Sequence, residues 1–154
     1  MSKYHRAADD MAVWNDVAYK PAVRNVTITA ANLTAAALTQ SINVGAVTVD
    51  DFIPLAARMS LVDAFDSPGA GSLNVELGVT GDTDAFIVTF DAYTGSAFEG
   101  QGWEAGTPNA ANPIGFPLSN TQIVVLLTAT TDNLDQFTNG DITIEVYGWE
   151  IDAQ

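Results

Sequence analysis

Apolar and polar residues alternate along several short stretches of the chain, and this pattern predicts β-strands. The clearest stretch is 73–80, LNVELGVT, in which every second residue is apolar. A period of two places the apolar side chains on one face of a strand. Residues 122–130, QIVVLLTAT, are apolar at nearly every position, as is typical of a central strand that is buried on both faces. The pattern therefore predicts a strand with one apolar face at 73–80 and a central strand at 122–130.

Turn signals separate these strands from five further β-rich stretches. The signals are PGAG at 68–71, GD at 81–82 and NG at 139–140. Strands and turns at this spacing predict an all-β fold, an antiparallel β-sandwich of jelly-roll or Greek-key type with little helix. Two short helices are expected, one at 7–14 and one at 32–39 with Asn32 as its cap. The five further strands are predicted at 24–29, 41–49, 58–65, 85–91 and 142–151.

Two segments do not fit the sandwich pattern. Residues 1–23 mix charge with aromatic side chains, so we interpret them as an N-terminal arm that precedes a β-sandwich domain at 24–154. A solvated, disordered terminus is the alternative. The second segment, 95–121, is a long loop rich in Gly and Pro, and loops of this length are usually functional or mobile. It is either an apical contact loop or a lid that folds back over the sandwich. Its candidate contact residues are Phe98, Trp103 and Phe116.

Charge is distributed unevenly along the chain. The formal net charge is -14, with 19 acidic residues and five Lys and Arg residues. No Lys or Arg follows Arg58, and residues 1–58 are balanced, so the excess negative charge belongs to the rest of the chain. Such a surface repels phosphate and anionic lipid, so neither nucleic acid nor a membrane is an expected partner. It favours solubility at high concentration.

No group of residues has the pattern of a catalytic site. The single histidine, His5, lies in the arm, where it would not be held in place as a base. Glu99 and Glu104 flank Trp103 in one Gly-rich loop, whereas a glycosidase needs two carboxylates on rigid elements. The chain has no cysteine, and no Gly-rich phosphate loop is present. We therefore expect a protein that is not an enzyme and needs no cofactor.

A weak metal signal lies in the turn at residues 81–84, GDTD. Asp82 and Asp84 can present two oxygens to calcium, but a full calcium site needs more oxygen ligands than this turn supplies. The more economical interpretation is an acidic turn ahead of a strand, and no metal is expected.

Three stretches together resemble a known group of proteins. They are VTITAANLTAAALTQSINVGAV at 26–47, LNVELGVTGDTDAFI at 73–87 and NLDQFTNGDITIEVYGWEI at 133–151. In order and spacing they resemble the small β-sandwich virion proteins of tailed bacteriophages. Within that group the chain is most similar to capsid decoration or cement proteins. The N-terminal arm departs from the more regular start of that group.

The resemblance implies a homotrimer, with a dimer as the other option, that binds the major capsid protein on the outer surface of the head. It implies a virion protein made in the host cytoplasm, and the N-terminus accordingly lacks the apolar core of a secretory signal. The outward aromatic residues of the last strand are candidates for the subunit interface, unless the long loop of the same chain covers them. The interface candidates are Tyr147 and Trp149. The capsid-contact candidates in and next to the arm are Tyr4, Arg6, Trp14, Tyr19, Lys20 and Arg24.

Two other functions use the same features. A carbohydrate-binding module would stack sugars on the aromatic residues of the long loop. A tail or fibre-attachment protein would share the fold and the oligomeric habit. A hydrolase that uses Glu99 and Glu104 has the least support from the sequence.

Overall fold

The computed structural model describes residues 17–45, 52–69, 71–93, 101–104 and 122–153, and the side chains of 17–19, 101–104 and 151–153 are excluded from the description. Two antiparallel sheets pack against each other around one core. One sheet has the strand order β1-β8-β3-β6, and the other has the order β2-β7-β4-β5. The strands are β1 (Val17–Thr29), β2 (Thr39–Asn43), β3 (Phe52–Asp66), β4 (Leu73–Val79), β5 (Asp82–Asp91), β6 (Gln101–Glu104), β7 (Ile123–Ala129) and β8 (Asn139–Ala153).

The strand order is that of a jelly roll. The first strand pairs with the last, the second with the seventh, the third with the sixth and the fourth with the fifth, all antiparallel. Successive antiparallel pairs alternate between the two sheets: β1–β8 and β3–β6 belong to one sheet, and β2–β7 and β4–β5 belong to the other. This is the arrangement of a jelly roll. The predicted antiparallel β-sandwich of jelly-roll type is confirmed.

Alternation explains how the inner faces are filled. In β8, Ile142, Ile144 and Val146 point inward and are fully buried, while the residues between them point away from the core. In β4, Leu73, Val75 and Leu77 are fully buried in the same way. β7 lies between β2 and β4, and the structure confirms that it is buried on both faces, with Val124 as well as Val125 inside.

The aromatic core lies towards one end of the sandwich. Phe65 and Phe137 meet edge to face with ring centroids 6.4 Å apart, and Tyr93 meets Phe137 at the same separation. Such pairs stabilise beyond the burial of their area by about 0.5–1.5 kcal/mol. Phe65 also lies against Gly140, which has a φ of +126°. The predicted turn at Asn139-Gly140 is therefore the first two residues of β8.

Two strand boundaries differ from the sequence-based expectation. β1 begins at Val17, so residues 17–23 pair with β8 although their pattern assigns them to the arm. Their strand structure comes from this pairing rather than from a clear alternation. The loop predicted at 95–121 is interrupted by β6, whose four residues pair with 56–59 of β3. A strand this short has no readable period, so its pairing partner decides its conformation.

The helix predicted at 32–39 does not form. A 3-10 turn at Ala30–Asn32 precedes it, and Asn32 accepts hydrogen bonds from the backbone and hydroxyl of Thr29. The side chain of Gln40 accepts hydrogen bonds from the N–H groups of Thr34 and Ala35 at 3.0 and 3.1 Å. These N–H groups are those that the first turn of a helix would leave without partners. The segment is an irregular connection, and Gln40 provides the hydrogen-bond acceptor for two of its backbone N–H groups.

The same segment is held by a second 3-10 turn at Leu134–Gln136. The backbone N–H groups of Leu134 and Asp135 donate to the carbonyls of Ala37 and Ala35. The helix predicted at 7–14 lies outside the described residues. Across the described part of the chain, no helix has the length and apolar character needed to cross a membrane.

Candidate interaction face

Apolar side chains cover the outward surface of the sheet formed by β1, β8 and β3. Val23 lies opposite Tyr147, and Pro21 lies opposite Trp149, across the β1–β8 pair. Ile53 lies opposite Trp149 on the other side of β8. These residues form two adjacent rows across three strands. We define the outer apolar face by Pro21, Val23, Ile53, Leu55, Tyr147 and Trp149.

A β-bulge in β3 brings Leu55 to this face. The register between β3 and β8 shifts between Pro54 and Ala56, so one additional residue is inserted there. Pro54 is buried and lacks an N–H group, which makes a bulge the suitable place for it in a central strand. Gly148 lies opposite Pro54, and a Cβ atom there would come within 2.2 Å of the carbonyl oxygen of Ile53. The bulge therefore leaves Leu55 exposed beside Tyr147.

The face is a cluster of exposed large apolar residues. Val23 is 48% exposed, Leu55 38%, Tyr147 39% and Trp149 37%. Contiguous exposed patches of this kind mark interaction surfaces, whereas single exposed apolar residues are ordinary. The other exposed large apolar residues among those described are Leu38, Val62 and Val88, which lie before β2, in β3 and in β5.

A polar contact fixes the hydroxyl of Tyr147. Its hydroxyl donates a hydrogen bond to Oε2 of Glu145 at 2.8 Å. This bond exists only while the phenol is protonated, so it raises the pKa of Tyr147 above its ordinary value, and burial adds to the effect. Arg58, which lies opposite Glu145 in the register, opposes the shift. The aromatic ring is therefore held by a neutral hydroxyl at neutral pH.

The cations of the described chain lie on this sheet. Lys20 and Arg24 are in β1, and Arg58 is in β3, where it lies opposite Glu145 beside the outer apolar face. In the described part of the other sheet, the strands carry no cation. Their charged residues are Glu76, Asp82, Asp84 and Asp91. Beside the outer apolar face, Arg58 thus offsets Glu145 on a protein that is otherwise strongly acidic.

Arg24 lies on the inner side of the same strands. Its guanidinium pairs with Glu150 of β8 and lies 5.5 Å from the ring centroid of Phe52. The side chain of Arg24 is only 19% exposed. Gly45 approaches it closely, since a Cβ atom there would lie 2.9 Å from Cδ of Arg24. Arg24 therefore joins β1 to β8 and closes one end of the core.

A groove lies at the other end of the same sheet. It has a volume of about 510 Å³ and is lined by Val62, Asp63 and Asp141 among others. Asp63 and Asp141 are register partners across β3 and β8. Two like charges facing each other across strands destabilise the pair. Asn139 compensates in part by donating to Asp63 at 2.8 Å.

The residues proposed from the sequence fall into four groups. Tyr147 and Trp149 come together on the outer apolar face, as their alternation predicts. Tyr19 of β1 and Trp103 of β6 belong to the same sheet, but their side chains are outside the description. Lys20 is exposed and Arg24 is largely covered. The candidates that lie outside the described residues are Tyr4, His5, Arg6, Trp14, Phe98, Glu99 and Phe116.

The weak metal candidates sit at the β4–β5 hairpin. Asp82 and Asp84 are both exposed at the start of β5. Among the residues that the structure describes, no three side chains of His, Asp or Glu come together in the manner of a metal site. The absence of a metal remains a prediction.

Four residues of the face were not apparent in the sequence. Pro21 and Val23 lie in the segment whose pattern indicates an arm, and Ile53 and Leu55 precede the predicted third strand. One sequence signal could have revealed Val23. In β1, Ala22, Val26 and Ile28 alternate with other residues and pack on the inner side. That alternation places Val23 on the outside. The bulge that exposes Leu55 has no signature in the sequence.

Comparison with protein-family models and with curated protein sequences gives no match. Among solved structures, the chain is similar to a chain of the cyanophage Pam1 capsid asymmetric unit. The TM-score is 0.54 and the identity is 12%, over 88% of this chain and 86% of that chain. The alignment therefore spans most of both chains. At this identity the likeness concerns the fold.

Proposed function

We propose that this chain is a structural protein of a bacteriophage virion, a decoration or cement protein on the outer surface of the head. The observation that carries the proposal is the jelly roll, which is shared over most of both chains with a chain of a cyanophage capsid asymmetric unit. The resemblance of the sequence to small virion β-sandwich proteins supports the same role. The major capsid protein is the proposed partner.

The charge distribution suits such a protein. A net charge of -14 keeps free copies soluble at high concentration before they bind. The outer apolar face is different, because Arg58 offsets Glu145 beside it and a contact there meets little charge repulsion. Many weak contacts on a symmetric shell add up when the copies are linked. A protein with one adhesive face and an acidic remainder can therefore coat a shell without aggregating in solution.

The segment before β1 is the proposed link to the shell. The sequence predicts an arm at residues 1–23, and since β1 starts at Val17, the part of it that precedes β1 is 1–16. It contains Tyr4, Arg6 and Trp14, which are residue types that dominate interface hot spots. We propose that this segment holds the capsid shell or a neighbouring subunit, as a homo-oligomer on the head.

Rebinding to bare heads tests this function. Heads of the phage that encodes the chain are assembled without it, and the purified protein is added back. The expected result is saturable binding with a fixed number of copies per head, and heads that release DNA at a higher temperature. A chain that begins at residue 17 should keep its fold and lose binding. Binding to tails alone would favour the tail protein, and no binding to any particle would refute the virion role.

A further inference from the structure

We propose that the outer apolar face is the contact surface for a second copy of this chain, packed face to face about a two-fold axis. This inference does not depend on the virion role, since it concerns the protein in solution. Tyr147 and Trp149 form its centre, and Val23 and Leu55 flank them. The contact would cover the large apolar side chains that the isolated chain leaves exposed.

Charge indicates which partner fits this face. Two copies that each carry -14 repel each other over most of their surfaces. On the outward side of this sheet, Arg58 lies opposite Glu145 and offsets its charge. A basic partner would instead be drawn to the acidic remainder of the surface. A face that is apolar and balanced fits a partner with the same properties, and the same face of another copy has them.

Symmetry favours a two-fold contact. In a two-fold dimer the same patch is used on both subunits, whereas a threefold ring needs two different surfaces that complement each other. Among the described residues, the register gathers Val23, Leu55, Tyr147 and Trp149 on one face, whereas the other exposed large apolar side chains, Leu38, Val62 and Val88, lie in three different elements. The structure therefore favours the dimer over the homotrimer that the sequence resemblance implies.

The size of the face sets the strength of the contact. Three strands about 4.8 Å apart, with about three residues each at about 3.3 Å per residue, span roughly 14 by 10 Å. A contact of this size buries less surface than the roughly 1,200 Å² that stable complexes start from. The dimer is therefore weak and depends on concentration. Salt should strengthen it, because screening reduces the repulsion between two acidic copies while the apolar contact is retained.

Sedimentation of the full chain from low-micromolar to high-micromolar concentration tests the inference. The wild-type protein should shift from monomer towards dimer, and more so at high salt. Val23→Glu should weaken the dimer at least about tenfold, because each copy brings an unpaired carboxylate into a dehydrated contact. Val88→Glu and Val62→Glu are matched controls, since they make the same change at exposed valines outside the face. Both controls should dimerise like the wild type.

Folding is checked separately by the thermal unfolding of each variant. All three valines are exposed, so each variant should unfold close to the wild-type temperature. A wild-type protein that stays monomeric at every concentration would overturn the inference, as would a trimer. Equal weakening by all three variants would show that general charge, not this face, controls association. A protein that stays monomeric but binds heads would refute only the dimer. A protein that dimerises but binds no particle would refute only the proposed function.

Discussion

Arg24 of β1 and Glu150 of β8 form an ion pair at the edge of the core, with the guanidinium above the ring of Phe52. The pair joins the first and last strands of the jelly roll. Arg24→Ala should lower the free energy of unfolding by about 1–2 kcal/mol, because it removes a cation–π contact and the packing of a long side chain. Arg58→Ala is the control, since Arg58 is exposed and should cost at most about 0.5 kcal/mol. Denaturant unfolding measures both, and equal losses would contradict this role.

Gly140 and Gly81 separate steric crowding from backbone strain. Both have positive φ, but a Cβ atom at Gly140 would lie 2.3 Å from the ring of Phe65, whereas Gly81 has open space around it. Gly81→Ala should therefore cost only the strain, about 1 kcal/mol. Gly140→Ala should cost more than about 3 kcal/mol, because overpacking adds to the strain. Thermal unfolding of the two variants checks the order, and a reversed order would refute this packing.

Asp132 ties together the loop that follows β3. Its Oδ2 accepts hydrogen bonds from the hydroxyl of Ser67 at 2.9 Å and from the backbone N–H of Gly69 at 2.7 Å. Asp132→Ala should destabilise the protein by about 1–3 kcal/mol, because the buried hydroxyl of Ser67 and the N–H of Gly69 lose a charged acceptor. Asp135→Ala, at an exposed position three residues away, is the control and should be nearly neutral. If the two variants unfold alike, Asp132 does not hold this loop.

Tyr147 should ionise at a higher pH than an ordinary tyrosine. The hydrogen bond to Glu145 raises its pKa, so the contribution of this bond to stability is present below pH of about 10 and is lost as the pH rises through the raised pKa. Phenolate absorbance, with Tyr147→Phe subtracted to isolate this residue, follows the titration. Glu145→Ala should move the pKa down, and Asp135→Ala should leave it unchanged. An unchanged pKa in Glu145→Ala would show that the hydrogen bond is not its cause.

Much of the fold follows from the local pattern. Residues 73–79 and 123–129 are recognisable because burial on one or both faces dictates their apolar spacing. The inward side chains of β8, Ile142, Ile144 and Val146, follow from the same rule. These three strands can therefore be predicted from local sequence, without knowledge of their pairing partners.

The parts that the sequence does not reveal depend on contacts between distant residues. β6 exists because residues 101–104 pair with β3, and β1 extends back to Val17 because β8 provides a partner along its length. The segment at 32–39 is an irregular connection although its sequence predicts a helix, and Gln40 accepts hydrogen bonds from its backbone N–H groups. Tyr147 and Trp149 are predictable as outward residues, but the register and the bulge that gather Val23 and Leu55 around them are tertiary features.

The most direct test of the proposed function is the cryo-EM difference density between heads assembled with and without this chain. The proposal predicts additional density of the size of one jelly roll at symmetry-related positions on the outer surface of the head. If the two-fold contact also forms on the particle, that density is paired. Heads that are identical with and without the chain, or additional density on the tail alone, would contradict a decoration protein.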